Sequence, residues 1–391
     1  YANVPHYKKK FDEINFRPSD LRSIKDLAQL PILTKVELRE NSPELKATDR
    51  KYKYSIDSTS GSSGPCTLIH TDRVASAYQH ASVIRGYKWH DVTLGERIVR
   101  FWGVQLDKKR IITDKTKDAL LNRITFSTHS LSGDSMKNYY RKMTKFKPSV
   151  FYGFASALYR FTSFIEEEKL SISDIPLKLI VSTGEALHEF QKNKMKNLFG
   201  CEISNEYGCA EFGPIAYSCP NGSLHMMAEN VFVEVVKDEC PANFGESGEL
   251  VITNLHNKCM PLIRYKLGDT AYILETECIC GRKLPIIGKI FGRTLDSIKT
   301  PEGNVVHGIF FDYIPKYFEK EIKQFQIIQG NPENLKINIV KGSAFNEHTV
   351  EKFEKKLRKV LGKRMKLAFI IKEQIPPDNT GKYRLVISNI R

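Results

Sequence analysis

Four short strand-like runs, each closing on a glycine, constrain the fold of this chain more than any other feature. Arg97 to Gly103, Ser149 to Gly153, Leu177 to Gly184 and Ile203 to Gly208 each read as a buried strand running into a turn. Helix patterns lie between them. Ala155 to Lys169 puts Leu158, Phe161, Phe164 and Ile165 on one face, and Glu189 to Phe199 follows the third strand. Strands alternating with helices predict α/β layering with sites at the strand ends.

Two further regions differ from that pattern. Val231 to Val236, Gly248 to Thr253 and Ala271 to Leu274 read as strands with short links, a β-rich subdomain. Beyond Gly292-Arg293 a tail carries strands at Phe325 to Ile328, Leu335 to Val340 and Leu367 to Ile371. Between the last two lies an amphipathic helix, His348 to Leu361. That predicts a compact α+β unit at the C-terminus. The whole has 391 residues and is 41% hydrophobic, enough for a packed core, and no run has the length and apolarity of a membrane span.

The net charge of +15 favours anionic partners such as nucleotides or coenzyme A. The lysines are scattered, and no zinc-finger or aromatic RNA-binding signature accompanies them, so nucleic acid is not the expected partner. Eight cysteines in a chain of this length, with no signal-peptide pattern, point to a reducing cytoplasm rather than a disulfide framework. Cys219, His225, Cys278 and Cys280 make a ligand set suited to a structural zinc ion. The alternative is four buried or merely unpaired side chains.

The remaining signals are clusters at turns. The densest is Asp57-Ser58-Thr59-Ser60-Gly61-Ser62-Ser63-Gly64-Pro65, which sits between a strand pattern from Tyr52 and a helix pattern opening at Thr71 or Asp72. Its glycines let the backbone approach an anion, and its hydroxyls and N–H groups suit phosphate oxygens. No Lys-Ser/Thr pair follows the second glycine, so it is not a Walker A loop. A flexible surface loop is the plain alternative. Ser182-Thr183-Gly184-Glu185-Ala186 offers backbone to edge a flat base. Glu206-Tyr207-Gly208-Cys209-Ala210-Glu211 joins a stacking ring to a carboxylate suited to Mg²⁺. Gly268-Asp269, read as the end of a strand, places a carboxylate where ribose hydroxyls are held in other nucleotide folds. Gly292-Arg293 and Asp296 stand at the junction with the tail, and Gly381-Lys382 puts a lysine point charge on a late loop. Taken singly, each is as readily a turn, a cap or a solvated loop.

In that order, these six motifs resemble the adenylate-forming superfamily of acyl-CoA synthetases and ligases. Within it they are most similar to the phenylacetate–CoA ligase branch, with its coenzyme F390 synthetase and CapK-like members. Leu30-Pro31-Ile32-Leu33-Thr34-Lys35 and Cys278-Ile279-Cys280-Gly281-Arg282 point to that branch. The resemblance spans nearly the whole chain. It implies a large adenylation domain over 1–293 and a small mobile lid over 294–391, hinged near Asp296.

The resemblance also implies roles. Thr59, Ser60, Gly61, Ser62, Ser63 and Gly64 would embrace the ATP phosphates. Gly184, Glu185, Ala186, Glu206, Tyr207 and Gly208 would border the adenine, Asp269 and Arg293 would bind the ribose, and Glu211 would hold Mg²⁺. Lys382 would enter for catalysis. Trp102, Gly103, Tyr152 and Gly153, with Phe101 and Phe154 beside them, are candidates for an acid pocket. Cys66 stands where the family often has lysine, and Leu295 replaces the first acid of the usual hinge pair, so rates and loop behaviour are expected to differ.

The implied activity is attack of a carboxylate on the α-phosphate of ATP, then transfer of the acyl group to coenzyme A. An amine or hydroxyl acceptor, in polysaccharide or secondary-metabolite synthesis, is the alternative. A non-catalytic nucleotide-binding protein of the same fold is a further one. Both monomer and homodimer stay open.

Overall fold

The structure is a computed structural model. It describes residues 1–49, 52–58, 67–103, 116–129, 131–293, 298–306, 311, 314, 317–318, 320–378, 381–388 and 390. The chain divides into two compact units, 1–94 with 204–290 and 95–203 with 291–391.

In the second unit, three of the four glycine-terminated runs become neighbouring parallel strands. Leu179–Thr183, Val150–Phe154, Ile98–Trp102 and Arg123–Ser127 lie side by side in that order, all parallel. Gly153 is dictated by packing, since a Cβ there would lie 2.6 Å from the Phe101 carbonyl oxygen. The helices Gly133–Phe146, Ala155–Glu167 and Glu189–Phe199 supply crossovers. Phe161, Ile165, Met143 and Met195 pack into one buried cluster with Val99, Phe101, Phe151 and Ile180 of the strands. Parallel strands of this kind expose ligand sites at their carboxyl ends. Here Trp102, Thr128, Phe154 and Gly184 stand at those ends.

The same unit contains the tail. Ile322–Asn331 and Asn334–Lys341 form an antiparallel hairpin flanked by parallel Val386–Ser388 and Lys366–Lys372. The helix Glu347–Leu361 opens on an Asn346 cap and buries Phe353, Leu357 and Leu361 against Phe325, Ile327 and Ile337.

In the first unit the strands are antiparallel. Cys240–Pro241, Val231–Lys237, Gly248–Asn254 and Tyr265–Ala271 form the β-rich sheet expected from the sequence. Gly213–Ser218, Leu224–Met226, Ile286–Ile287 and Ile273–Leu274 form a second antiparallel ladder, which Glu202–Cys209 joins beside Gly213–Ser218. The Ser/Gly stretch connects a hairpin, Tyr54–Ser58 with Leu68–Asp72. Asp72 then caps the helix Arg73–Lys88, its side chain accepting from the Ala75 N–H at 2.9 Å.

Arg264 anchors the N-terminal segment to this unit. Its side chain is 2% exposed, pairs with Glu234 at 3.2 Å and donates to the carbonyls of Ala28 and Leu30. The backbone of Leu33 bonds to both Arg264 and Lys266.

Candidate functional site

In the first unit, Tyr207 and Asp269 meet. The Tyr207 hydroxyl donates to Asp269 Oδ2 at 2.6 Å, and Asp269 is only 9% exposed. Tyr207 lies within Glu202–Cys209, at a register shift before Gly208, after which Gly208 and Cys209 still pair with Pro214 and Gly213. Asp269 lies inside the strand Tyr265–Ala271, not at its end as the sequence suggested. Gly268 takes φ +90°, a local break that lets the strand resume after the Gly-Asp step.

Glu211 and Glu206 are both buried. Tyr265 donates to Glu211 Oε1 at 3.3 Å. Burial and the neighbouring Glu211 together push the Cys209 thiol well up. Thr59 to Gly64 lie outside the described residues.

The sequence reading took Asp72 only as one of two possible helix starts. Besides capping its helix, its carboxylate accepts from the Lys258 N–H at 2.7 Å and the Cys259 N–H at 3.3 Å. It thereby ties the end of the Ser/Gly hairpin to the 257–259 turn. An Asp just ahead of a helical pattern is a visible cap signal, but its second set of partners lies far along the chain.

The Cys219, His225, Cys278 and Cys280 ligand atoms all lie within 4.8 Å of one another. Cys219 and Cys278 Sγ are 3.8 Å apart, and Cys280 Sγ is 3.2 Å from His225 Nε2. His225 directs Nδ1 at the Leu284 carbonyl at 3.2 Å, which turns Nε2 toward the thiols. Trp89 packs edge-on to His225, and the Arg282 guanidinium lies 4.9 Å above the Trp89 ring.

In the second unit, Gly184, Glu185 and Ala186 follow the buried strand Leu179–Thr183. The Glu185 carboxylate accepts from the Ser156 N–H at 2.8 Å, the Ser156 hydroxyl at 3.1 Å and the Tyr383 N–H at 2.7 Å. Burial raises its pKa, opposed by those donors and by the Lys382 charge. Lys382 Nζ sits 5.6 Å from the centre of the Phe154 ring. Its Cε is 3.2 Å from where a Cβ on Gly184 would fall. The lysine predicted from the late loop is thus at the strand ends beside Gly184 and Glu185. Trp102 stacks on Phe154 at 4.4 Å and on Tyr152 at 5.8 Å, an aromatic wall at the same strand ends. Of Arg293 only the backbone is described, in Gly292–Arg293, and Asp296 lies outside the described residues.

Residues 298–389 match the CapK C-terminal domain family. Protein CapK of Staphylococcus aureus is 24% identical over 376 residues, covering 94% of this chain and 82% of that protein. The phenylacetate-coenzyme A ligase of Thermus thermophilus is 23% identical over 417 residues, covering 99% and 92%. Over nearly its whole length the chain is thus similar to Protein CapK and to a phenylacetate-coenzyme A ligase. Its fold matches the crystal structure of 2-hydroxyisobutyryl-CoA ligase in complex with R3-HIB-AMP. The TM-score is 0.79 at 20% identity, over 99% of this chain and 86% of that one. Among the described residues no helix is long and apolar enough to cross a membrane.

Proposed function

We propose that this protein activates a carboxylic acid with ATP, forming an acyl-adenylate and pyrophosphate, and passes the acyl group to the thiol of coenzyme A. The observation that carries the reading is the seating of Lys382 beside Gly184 and Glu185 at the carboxyl ends of the parallel strands. A carboxylate oxygen attacks the α-phosphorus and the bond to the pyrophosphate oxygen breaks. The step is mainly positioning and charge neutralisation. The Lys382 ammonium supplies fixed positive charge, and the N–H groups of Thr59 to Gly64 would cradle the phosphates. The buried Glu211 fits a Mg²⁺ ligand, and the ion would offset phosphate charge. In the first unit Tyr207 would stack on the adenine beside Glu206 and Gly208, and Asp269 would accept from ribose hydroxyls; in the second, the backbone of Gly184, Glu185 and Ala186 would border the base and Arg293 would assist. In the second step the thiol sulfur attacks the acyl carbon, AMP leaves, and the thiol proton passes to solvent.

The tail from residue 294 onward is the moving part in this reading, turning at Asp296 so that Lys382 withdraws before transfer. Trp102, Gly103, Tyr152 and Gly153 favour an aromatic or otherwise apolar acid. We also infer that Cys219, His225, Cys278 and Cys280 hold a structural zinc ion, because a sulfur pair 3.8 Å apart suits a tetrahedral thiolate site.

The alternative acceptor is an amine or hydroxyl in place of the thiol. Pyrophosphate release over a panel of acids, with and without coenzyme A, tests both. Acid-dependent release accelerated by coenzyme A supports the ligase. Release indifferent to it favours the second acceptor, and no acid-dependent release contradicts both.

A further inference from the structure

The side chain of Glu185 has work that bordering a base does not explain. A backbone edge is enough to flank adenine, yet the carboxylate is engaged by a set of donors of its own. Ser156 opens the helix Ala155–Glu167 and gives it an N–H and a hydroxyl, so the carboxylate is pinned to the rigid strand–helix corner. Its remaining donor is the Tyr383 N–H, at 2.7 Å. Tyr383 is the residue next to Lys382. One side of the lysine is therefore tied, through Glu185, to the corner that follows Val150–Phe154.

The other side is tied as well. The Thr128 hydroxyl donates to the Gly381 carbonyl at 3.0 Å. Gly381 has φ +83°, and a Cβ there would meet Gly103 Cα at 2.7 Å, so the loop backbone lies directly on the strand ends. Within the loop, the Lys382 N–H donates to Asp378 Oδ1 at 3.1 Å, and the Asp378 N–H donates to the Lys382 carbonyl at 2.8 Å. Lys382 is thus held in a short turn clasped at Gly381 and at Tyr383.

We propose that Glu185 is the positioning residue for Lys382: by holding the Tyr383 amide it seats the lysine at the strand ends for adenylation. This rests on the adenylation reading above. A carboxylate is the group suited to the task, since it offers two oxygens to donors arriving from two directions. A glutamine must turn its NH₂ toward one of them. Burial raises the Glu185 pKa, and these donors and the Lys382 charge work against that rise.

Two readouts on the full chain test the proposal, comparing wild type with Glu185→Gln and Glu185→Ala. Hydrogen–deuterium exchange resolved at residues 381–383 follows the contact itself. Loss of a hydrogen bond to a charged acceptor is expected to speed exchange of the Tyr383 amide at least about tenfold. Acid-dependent pyrophosphate release follows the role. The turnover number is expected to fall by at least about tenfold, with the KM for ATP unchanged. A Tyr383 amide unaffected in both variants overturns the proposal. So does a freed amide with unchanged turnover, and so does a raised KM for ATP at unchanged turnover, which is the signature of a nucleotide-bordering side chain. If wild type itself releases no pyrophosphate with any acid, the adenylation reading fails and the positioning role with it; the exchange data separately report whether the contact exists.

Discussion

Replacing Tyr207 by phenylalanine removes one oxygen atom and keeps the ring. The lost hydroxyl donates at 2.6 Å to Asp269, a carboxylate 9% exposed. A short hydrogen bond to an ionised acceptor contributes about 1.5–3 kcal/mol, more than a neutral pair. Part of that loss falls on folding, because Asp269 gives up a donor inside a strand where water replaces it poorly. Tyr207→Phe should therefore lower the unfolding free energy by about 1–2 kcal/mol in urea titration. The rest falls on nucleotide binding, since the hydroxyl orients the carboxylate proposed to accept from ribose. The KM for ATP should rise about tenfold with turnover little changed, since each 1.4 kcal/mol is a factor of ten. Tyr207→Ala should raise it further by removing the stacking face. A Tyr207→Phe variant with wild-type stability and wild-type KM for ATP would refute both the energetic weight of this bond and the ribose role of Asp269.

Three other outcomes follow from the geometry. Arg264→Met leaves Glu234 buried without its guanidinium and should cost about 3–5 kcal/mol in chemical denaturation; a loss below about 1 kcal/mol would contradict the anchoring role. Burial lowers the His188 pKa to about 4, so the unfolded chain takes up a proton near pH 6.5 while the folded chain resists until about pH 4. That contribution is present above pH 6.5 and is lost as pH falls toward 4, by about 3 kcal/mol in full. His188→Gln should flatten this part of the stability–pH curve, and an unchanged slope argues against it. Elemental analysis should find about one zinc per chain, and its removal by a chelator should lower the melting temperature; a zinc-free protein of unchanged stability would sink the assignment.

Much of this arrangement was legible in the sequence because local and global signals agree. Val150–Phe154 and the Leu179–Val181 part of the next strand are short apolar runs, so their strand character needed no tertiary information. Thr34 and Glu37 form a reciprocal cap that marks a helix start in the sequence as in the structure. The sequence reading named no helix at Gly133–Phe146, although Met136, Tyr139, Tyr140 and Met143 stand there at helical spacing. Leu68–Asp72 was hidden as well. Its partner Tyr54–Ser58 lies across the Ser/Gly stretch, and strand pairing is not written in either segment alone. Gly268-Asp269 looked like a strand end because glycine usually punctuates, whereas here the strand continues through it.

The site divides along the same line. The order of motifs pointed to Lys382, Glu185, Tyr207 and Asp269. Their partners, Ser156, Thr128 and Tyr383, carry no signal of their own: a serine at a helix start and a tyrosine near a loop are commonplace, and only the fold brings them to Glu185 and Gly381.

The central claim is that an acyl-adenylate forms on this chain and that Lys382 drives it. Mass spectrometry of the protein incubated with ATP, Mg²⁺ and a panel of aromatic and aliphatic acids tests this directly. The expected result is an acyl-AMP of matching mass for at least one acid, reduced by about 10²–10³-fold in Lys382→Ala. Absence of any acyl-AMP, or its undiminished formation by Lys382→Ala, would contradict the account.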